Sequence, residues 1–486
     1  MIVCKFGGTS VADAVAIDRV ATIIRGKQAR QPVVVVSALG GATNMLLDIA
    51  NKAAAGELLV ALQLIEQLRD RHLREAATLL EGAPDAEEIA LEIATGFDEL
   101  AHLAEAFRTL GYLTPRSLDT VAALGELLSS QIVTAALRHR GLPTVFVDAR
   151  DVMITNDQFT RADPDRSGIE HASRTHLVSA IEAGQIPVMG GFVGATPQRV
   201  TTTLGRGGSD YSAALIGAAI DAEAIEIWTD VDGMLTADPR VVPDAKTIDR
   251  IRFDEAAELA SFGAKVLHPS TIAPAVQRGI PVHVLNSRKP EGTGTLIAFE
   301  APRMPVRAIA GKRNTTVVKL RSARMLLAPG FLRRVFEIFE RHRTSVDVVA
   351  TSEVSISVTL DDASNLDAVV SDLMQFGDVA VERHRGIVAI VGAGIADGGT
   401  AMARAVAALG EVPVYMVSLS ATGINFTLVI DDAQVVPAMQ RLHAAFFGGN
   451  ATAELPDAAR ADLVPSGTAP MLTASAAPVQ NAAAPS

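Results

Sequence analysis

The sequence predicts a layered α/β domain with a mainly parallel sheet, followed by two small ferredoxin-like modules. Three observations carry this. From residue 1 to about 295, short β-rich apolar runs alternate with amphipathic helical segments. Beyond about residue 310 the order becomes β-α-β-β-α-β and a second, similar pass follows. Aromatic residues make up only 4% of the chain while Ala, Val, Leu and Ile dominate, which favours packed helices and buried parallel strands over an aromatic-rich sandwich.

In chain order, the expected strands of the first domain are 2–6, 33–37, 144–147, 186–189, 224–228 and 282–285. A long helical block, roughly 44–140, separates the second from the third, with Leu59, Leu62, Ile65 and Leu68 on one helix face and Leu124, Leu127, Leu128 and Ile132 on another. The first small module reads as strand 315–320, helix 330–342, strands 345–351 and 354–360, helix 366–376 and strand 379–383. The second reads as 387–391, 400–409, 414–420, 424–430 and 433–447. Past Gly448 the chain turns to Ala, Pro, Ser and Thr, and the tail is expected to be disordered.

A net charge of −12 leaves no basic footprint, so no nucleic-acid partner is expected. Cys4 is the single cysteine, which excludes an internal disulfide and a cysteine-built zinc site, and its apolar neighbours mark it as a small buried hydrophobe. No apolar run reaches about 18 residues, so no membrane contact is expected. The chain opens directly on a strand, and a cytoplasmic location is expected.

The densest chemical signal is Thr201-Thr202-Thr203-Leu204-Gly205-Arg206-Gly207-Gly208-Ser209-Asp210. Its glycines let backbone N–H groups approach an anion, and a helix starting near Ser209 adds its positive end. Arg206 can grip a carboxylate or phosphate through two parallel hydrogen bonds. The stretch lacks the Gly-Lys-Ser/Thr ending of a Walker loop and is no dinucleotide fingerprint. Taken alone it also fits a plain capped turn. Lys5-Phe6-Gly7-Gly8-Thr9-Ser10 places a lysine and two glycines at a strand end, which suits a phosphate cradle better than a snorkelling lysine at a turn. Ser37-Ala38-Leu39-Gly40-Gly41-Ala42-Thr43 repeats that logic, with Thr43 either a helix cap or a ligand. The loop after 224–228 carries Thr229, Asp230 and Arg240, which suit a ribose and polyphosphate or merely make turns. Gathering Lys5, Arg206, Arg240 and Lys265 around an anion, with Asp210 orienting them, matches phosphoryl transfer. A hydrolytic triad fits less well, since no nucleophile elbow appears and His268 has no nucleophile beside it. Gly392-Ala393-Gly394 lacks the third glycine that a dehydrogenase requires.

Lys5-Phe6-Gly7-Gly8-Thr9-Ser10, the run from Thr201 to Asp210, Trp228-Thr229-Asp230-Val231 and Phe262-Gly263-Ala264-Lys265-Val266-Leu267-His268-Pro269 together closely resemble the motifs of aspartate kinases. The resemblance covers residues 1 to about 447. It implies an amino-acid kinase αβα sandwich with a mainly parallel sheet over 1–295, a linker at 296–310, ACT modules at 311–385 and 386–447, and a tail at 448–486. It implies transfer of the γ-phosphoryl group of ATP, with Mg2+ carried by the nucleotide and no metal site of the protein's own, to the side-chain carboxylate of L-aspartate. The product, 4-phospho-L-aspartate, enters lysine, threonine and methionine synthesis. By the same resemblance, Lys5, Arg206 and Asp210 are catalytic. Ser37, Thr43, Glu126, Arg206, Gly207, Gly208 and Ser209 bind aspartate. Lys5, Phe6, Gly7, Gly8, Thr229, Asp230, Leu235, Arg240, Lys265 and Val266 bind ATP, with Leu235 standing where some relatives carry a tyrosine.

The segments 325–332 and 345–353 resemble those that bind an amino-acid effector, lysine and/or threonine, and the candidates are Met325, Gly330, Leu332, Ser345, Val346, Asp347, Thr351, Ser352 and Glu353. Ala328-Pro329 replaces the more polar turn of some lysine-sensitive relatives, which leaves the effector open. A homodimer or dimer of dimers through the ACT modules is expected. Another small-acid kinase of the same fold, or an amino-acid sensor without turnover, stands as the alternative.

Overall fold

In the computed structural model, residues 1–262, 271–397 and 399–448 are described. The strands of the first domain are β1 (Ile2–Phe6), β2 (Pro32–Val36), β3 (Thr144–Phe146), β4 (Ile186–Gly190), β5 (Val193–Ala195), β6 (Thr201–Thr203), β7 (Ala224–Thr229), β8 (Arg250–Arg252), β9 (Val282–Asn286) and β10 (Thr295–Ala298). One sheet runs β3-β4-β2-β1-β7-β9-β10-β8, and β5 pairs with β6 in a separate antiparallel hairpin. β1 lies mid-sheet, parallel to both β2 and β7, while β10 turns antiparallel to β9.

All of β1 and β2 is buried, as the unbroken apolar runs of central parallel strands require. The two-residue period divides β1 between two cores. Ile2, Cys4 and Phe6 face the layer made by the helices Ala14–Lys27, Ala42–Ala54, Leu58–Leu79, Ala86–Leu110 and Pro115–His139. Val3 faces the opposite layer, which includes the helix Gly208–Ala219. Lys5 shares the face of Val3 by parity, so its side chain is directed to the amino-terminal turn of that helix. The result is an αβα sandwich. Cys4 is fully buried, and burial pushes its thiol well above the ordinary range.

The Pro115–His139 helix is long and apolar enough by length and composition to cross a membrane, although 78% of its most apolar window is buried within the domain. It lies in the helical block expected at 44–140, and Asp119, Glu126 and several small polar residues keep its unbroken apolar run short of about 18 residues. Thr114 caps it, accepting from the Ser117 N–H at 3.1 Å, and Pro115 takes the first turn, where a missing N–H costs nothing.

The carboxyl-terminal strands are β11 (Ala308–Arg321), β12 (Val349–Thr351), β13 (Ser355–Leu360), β14 (Asp378–Val391), β15 (Val414–Leu419) and β16 (Asn425–Asp431). They form one sheet in the order β12-β13-β11-β14-β16-β15, antiparallel throughout. Three expectations need correction. The strands expected at 379–383 and 387–391 are one, β14, so the division at 385/386 falls inside a continuous strand. β11 likewise begins at Ala308, inside the segment read as linker, and its residues 308–312 pair with the second half of β14. The modules therefore share their two long strands. The sequence suggests a break because Asn314 and His384 both take φ 57°, a bend that interrupts the alternation where β11 and β14 bulge. The strand expected at 345–351 shortens to Val349–Thr351.

The second module rests on the first domain. Glu255, fully buried, lies 3.5 Å from the Arg307 guanidinium and accepts from the Ala393 N–H at 3.0 Å. Thr236 pairs with His443 at 2.9 Å, and its carbonyl accepts from the Ile309 N–H at 2.8 Å. The tail from residue 449 onward lies outside the described residues.

Candidate active site

The carboxyl ends of β1, β2 and β7 converge with the glycine turn before Gly208–Ala219. Gly205 and Gly207 take φ 77° and 73°, the left-handed region in which glycine meets no Cβ penalty. A Cβ at Gly208 would stand 2.6 Å from the Phe192 ring, so the turn is also sterically closed to larger residues. Gly207 caps the helix, which leaves its first N–H groups without a side-chain acceptor.

Lys5 Nζ lies 2.6 Å from Asp210 Oδ1, both largely buried, in charge contact rather than in an aligned hydrogen bond. The lysine's donors remain available to an anion in the same cleft. Gly7 donates its N–H to the Trp228 carbonyl at 3.0 Å, Ser10 donates to the same carbonyl at 3.2 Å, and the Phe6 and Trp228 rings stack 6.0 Å apart. These contacts fix the first loop to β7.

A cavity of about 510 Å³ opens beside this pair, lined by Lys5, Ser37, Thr43, Glu126 and the residues from Gly205 to Asp210. Ser37 Oγ donates to Ser209 Oγ at 3.1 Å, and Thr43 Oγ1 donates to Glu126 Oε1 at 3.4 Å. Glu126 is only 4% exposed, and its Oε2 has no hydrogen-bond partner among the described residues. Burial pushes its carboxyl up to about 8, against the lowering effect of the hydrogen bonds from Ala38 and Thr43. Arg206 stands exposed at the cavity mouth with no ion pair among the described residues. The cavity thus joins an unpaired guanidinium, a lysine and a buried carboxyl oxygen awaiting a donor, the complement of a small zwitterion with an extra anionic group.

The remaining candidates occupy a second, more open region. Thr229 Oγ1 donates to Asp230 Oδ1 at 3.3 Å. Arg240 is engaged with Asp238, its Nε at 3.0 Å and its Nη2 at 2.6 Å from the two carboxylate oxygens. Leu235 is half-buried and bridges to Thr247. Lys265, Val266 and His268 lie outside the described residues. Among the described residues no cluster of three His, Cys, Asp or Glu groups is placed to hold a metal ion.

The effector candidates lie about the first module and outside the cavity. Gly330, at φ 77°, caps the helix Phe331–Arg341 with open space where a Cβ would lie, and Leu332 is exposed in its first turn. Met325 ends a short 3₁₀ turn. Asp347 faces Lys312 at 3.7 Å, and burial pushes its carboxyl up to about 6 despite that ammonium. Ser352 Oγ pairs with Ser355 Oγ at 2.7 Å, while Ser345, Thr351 and Glu353 are exposed and Val346 packs against the module's core.

Sequence reading missed Asp119, Thr160 and Phe192 and placed Thr203 in the glycine-turn motif without giving it a site role; all four line the cavity. Asp119 lies seven residues before Glu126, hence on the same helix face two turns away, and that spacing was the available signal. Burial raises its carboxyl while hydrogen bonds from Thr203 and Thr160 oppose the rise.

The amino acid kinase family model matches residues 1–286, and an ACT domain model matches 388–446. Lysine-sensitive aspartokinase 3 of Escherichia coli K12 is 37% identical over 456 residues, spanning 92% of this chain and 99% of the relative. The chloroplastic aspartokinase 3 of Arabidopsis thaliana is 37% identical over 465 residues, spanning 92% and 81%. The crystal structure of E. coli aspartokinase III with aspartate and ADP, its R-state, superposes with a TM-score of 0.81 at 37% identity, over 92% of this chain and all of that one. Its T-state complex with lysine and aspartate gives 0.76 at the same identity, over 92% of this chain and 99% of that one. With the αβα domain, the paired ACT sheet and these matches along nearly the whole length, the chain belongs to the aspartokinases of the amino acid kinase family.

Proposed function

We propose that the protein transfers the γ-phosphoryl group of ATP to the β-carboxylate of L-aspartate, giving 4-phospho-L-aspartate, and that an amino acid bound at the first ACT module controls it. The observation that carries this reading is Glu126, a buried carboxyl with one oxygen unpartnered, in the same cavity as Arg206 and the Lys5–Asp210 pair. Glu126 receives the substrate ammonium and Arg206 the α-carboxylate, with Thr43, Ser37 and the backbone N–H groups of Gly207 to Ser209 completing the pocket. The β-carboxylate then points at Lys5.

In the reaction one carboxylate oxygen attacks the γ-phosphorus, the bond to the bridging oxygen breaks, and ADP leaves with that electron pair. No proton needs to be removed from the nucleophile, because it is already anionic. Catalysis therefore rests on placement and on neutralising charge. Lys5 sits where charge builds on the transferring group, and Asp210 holds the ammonium in position. The Gly7 N–H is held by the Trp228 carbonyl, so this loop's contribution is the close backbone approach that Gly8 allows, where a Cβ would stand 3.3 Å from the Ala38 carbonyl. Thr229, Asp230, Leu235 and Arg240, with Lys265 and Val266, hold the nucleotide, and Mg2+ arrives on its phosphates. The E. coli relatives crystallised with aspartate and ADP and with lysine support the substrate, the nucleotide and a lysine effector.

The test is hydroxylamine trapping of the acyl phosphate with aspartate and with glutamate as acceptors. Aspartate is expected to react at least about 100-fold faster in kcat/KM, since the longer acid misplaces its carboxylate by more than about 1 Å. Equal trapping from both acids, or from neither, would overturn the assignment.

A further inference from the structure

We propose that Asp119 is a positioning residue for the aspartate pocket, a buried clamp that sets the glycine turn carrying Arg206. This rests on the reading of that cavity given above. Asp119 is 1% exposed and directed from the Pro115–His139 helix into the cavity wall. Its Oδ2 accepts from the backbone N–H of Thr160 at 2.9 Å and of Thr203 at 3.0 Å, and its Oδ1 accepts from Thr203 Oγ1 at 2.6 Å. Both oxygens serve the protein, so Asp119 acts through other residues rather than on the substrate.

Those partners are the two supports of the turn. Thr203 ends β6 and is followed directly by Leu204, Gly205 and Arg206. Thr160 takes φ 69°, a conformation that a β-branched residue adopts only when its surroundings impose it. Its carbonyl oxygen stands 3.0 Å, and Arg161 Cγ 3.2 Å, from where a Cβ on Gly205 would lie, so Gly205 is seated on this corner without spare room. Ala162 donates to the Thr203 carbonyl at 2.9 Å and closes the ring. One carboxylate thus holds a strained corner and the strand end leading to Arg206. The candidates for the nucleotide's base and ribose, Thr229, Asp230 and Leu235, lie on a different loop that Asp119 does not touch.

Steady-state kinetics on the full chain test the clamp. Asp119→Ala is expected to raise the aspartate KM about 10- to 100-fold through displacement of Arg206, with the ATP KM changed less than about twofold. Asp119→Asn keeps one oxygen for both backbone donors and turns its amide toward Thr203 Oγ1, and is expected to recover most of the loss. A residue serving only stability would lower Tm and shift both KM values alike, and that outcome, or no shift in either, overturns the proposal. Should Asp119→Ala give no cooperative melting transition, Thr203→Val decides. It removes one bond only, and a severalfold rise confined to the aspartate KM supports the clamp while an unchanged aspartate KM refutes it. Failure of the wild-type chain to phosphorylate aspartate strikes the reading of the cavity instead, and is seen before any variant is made.

Discussion

The two halves of the candidate site are built in opposite ways. In the aspartate half, side chains distant in sequence are paired and buried, as in Lys5 with Asp210, Thr43 with Glu126 and Asp119 with Thr203. In the nucleotide half, exposed side chains pair with near neighbours, as in Arg240 with Asp238 and Thr229 with Asp230. The nucleotide loop also touches the second ACT module, through Thr236 and His443, as does the helix Phe253–Ser261 through Glu255. On the proposed assignment the small acid would meet a preformed pocket, whereas the nucleotide would meet side chains already engaged with their neighbours. Among the described residues the carboxyl-terminal sheet therefore meets the first domain at the nucleotide loop and the helix Phe253–Ser261 and supplies no residue to the cavity lining.

The largest break in this contrast is expected at the junction. Lys5→Ala removes the charge facing the transferring group and leaves Asp210 an unbalanced carboxylate, and kcat is expected to fall about 10³-fold, as loss of a preorganised electrostatic group typically does. Asp210→Ala is expected to do the same with the fold intact. A coupled assay of ADP release reads both, and turnover within about tenfold of wild type in either variant would remove the pair from the mechanism.

Glu126 gives the next largest effect and a pH signature. Its carboxyl titrates near 8 in the free protein, so at pH 6 to 7 it is mostly protonated and must ionise to hold an ammonium. The aspartate KM is expected to fall about tenfold per pH unit between 6 and 7 and to level off above about 8. Glu126→Gln is expected to raise the aspartate KM about 100-fold and to flatten this slope. The linkage to stability has the opposite sense. A carboxyl raised above its unfolded value destabilises the fold as pH rises from about 4.5, and the penalty is complete above about 8. The glutamine variant should therefore be more stable than wild type at pH 8.5 by roughly 1–3 kcal/mol, the usual cost of an unsatisfied buried polar group, and should lose this advantage near pH 4. A variant that melts lower at pH 8.5 would mean that Glu126 is satisfied in the free protein.

Legibility in the sequence follows the same division. Lys5 and the Gly205–Asp210 turn were visible because charge and glycine concentrate at strand ends, where the chain itself signals close backbone approach. Asp119 was not, because its partners lie 41 and 84 residues away and only the folded chain brings them together. The β5–β6 hairpin escaped because its short strands, Val193–Ala195 and Thr201–Thr203, are apart from Val193 made of glycine, alanine and threonine and, unlike β3, carry no bulky apolar run to register. Glu126 would have passed for an ordinary helix carboxylate without the resemblance. In the carboxyl-terminal sheet the elements were found but their sharing was not, since a bend at His384 reads in sequence as a gap between two strands.

The effector segments extend the contrast to regulation. Gly330→Ala forces a side chain into a left-handed cap, and Thr351 and Ser352 stand exposed on the edge strand and the turn after it. Substitutions at these positions are expected to raise the lysine concentration for half-inhibition about tenfold and to leave uninhibited kcat within about twofold, because none reaches the cavity. Loss of turnover in the absence of effector would place these residues in the wrong half.

The smallest effect is expected at Arg240, where it decides whether the nucleotide half is locked or braced. Both Asp238 oxygens accept from its guanidinium, and the same carboxylate accepts the Arg240 N–H at 2.9 Å, so Asp238 shapes the turn as well as holding the charge. An exposed pair of this kind is weak, and its release changes nucleotide affinity by only about twofold to fivefold. If Arg240 must leave Asp238 to reach the polyphosphate, Asp238→Asn lowers the ATP KM, because the asparagine keeps the turn and gives up the ion pair. If the pair instead aims the guanidinium, the same variant raises it. The adaptable character of this half favours a fall, most visible at low ionic strength where the pair is least screened, with the aspartate KM unmoved. A rise would show that the nucleotide half, like the aspartate half, is held ready before its ligand arrives.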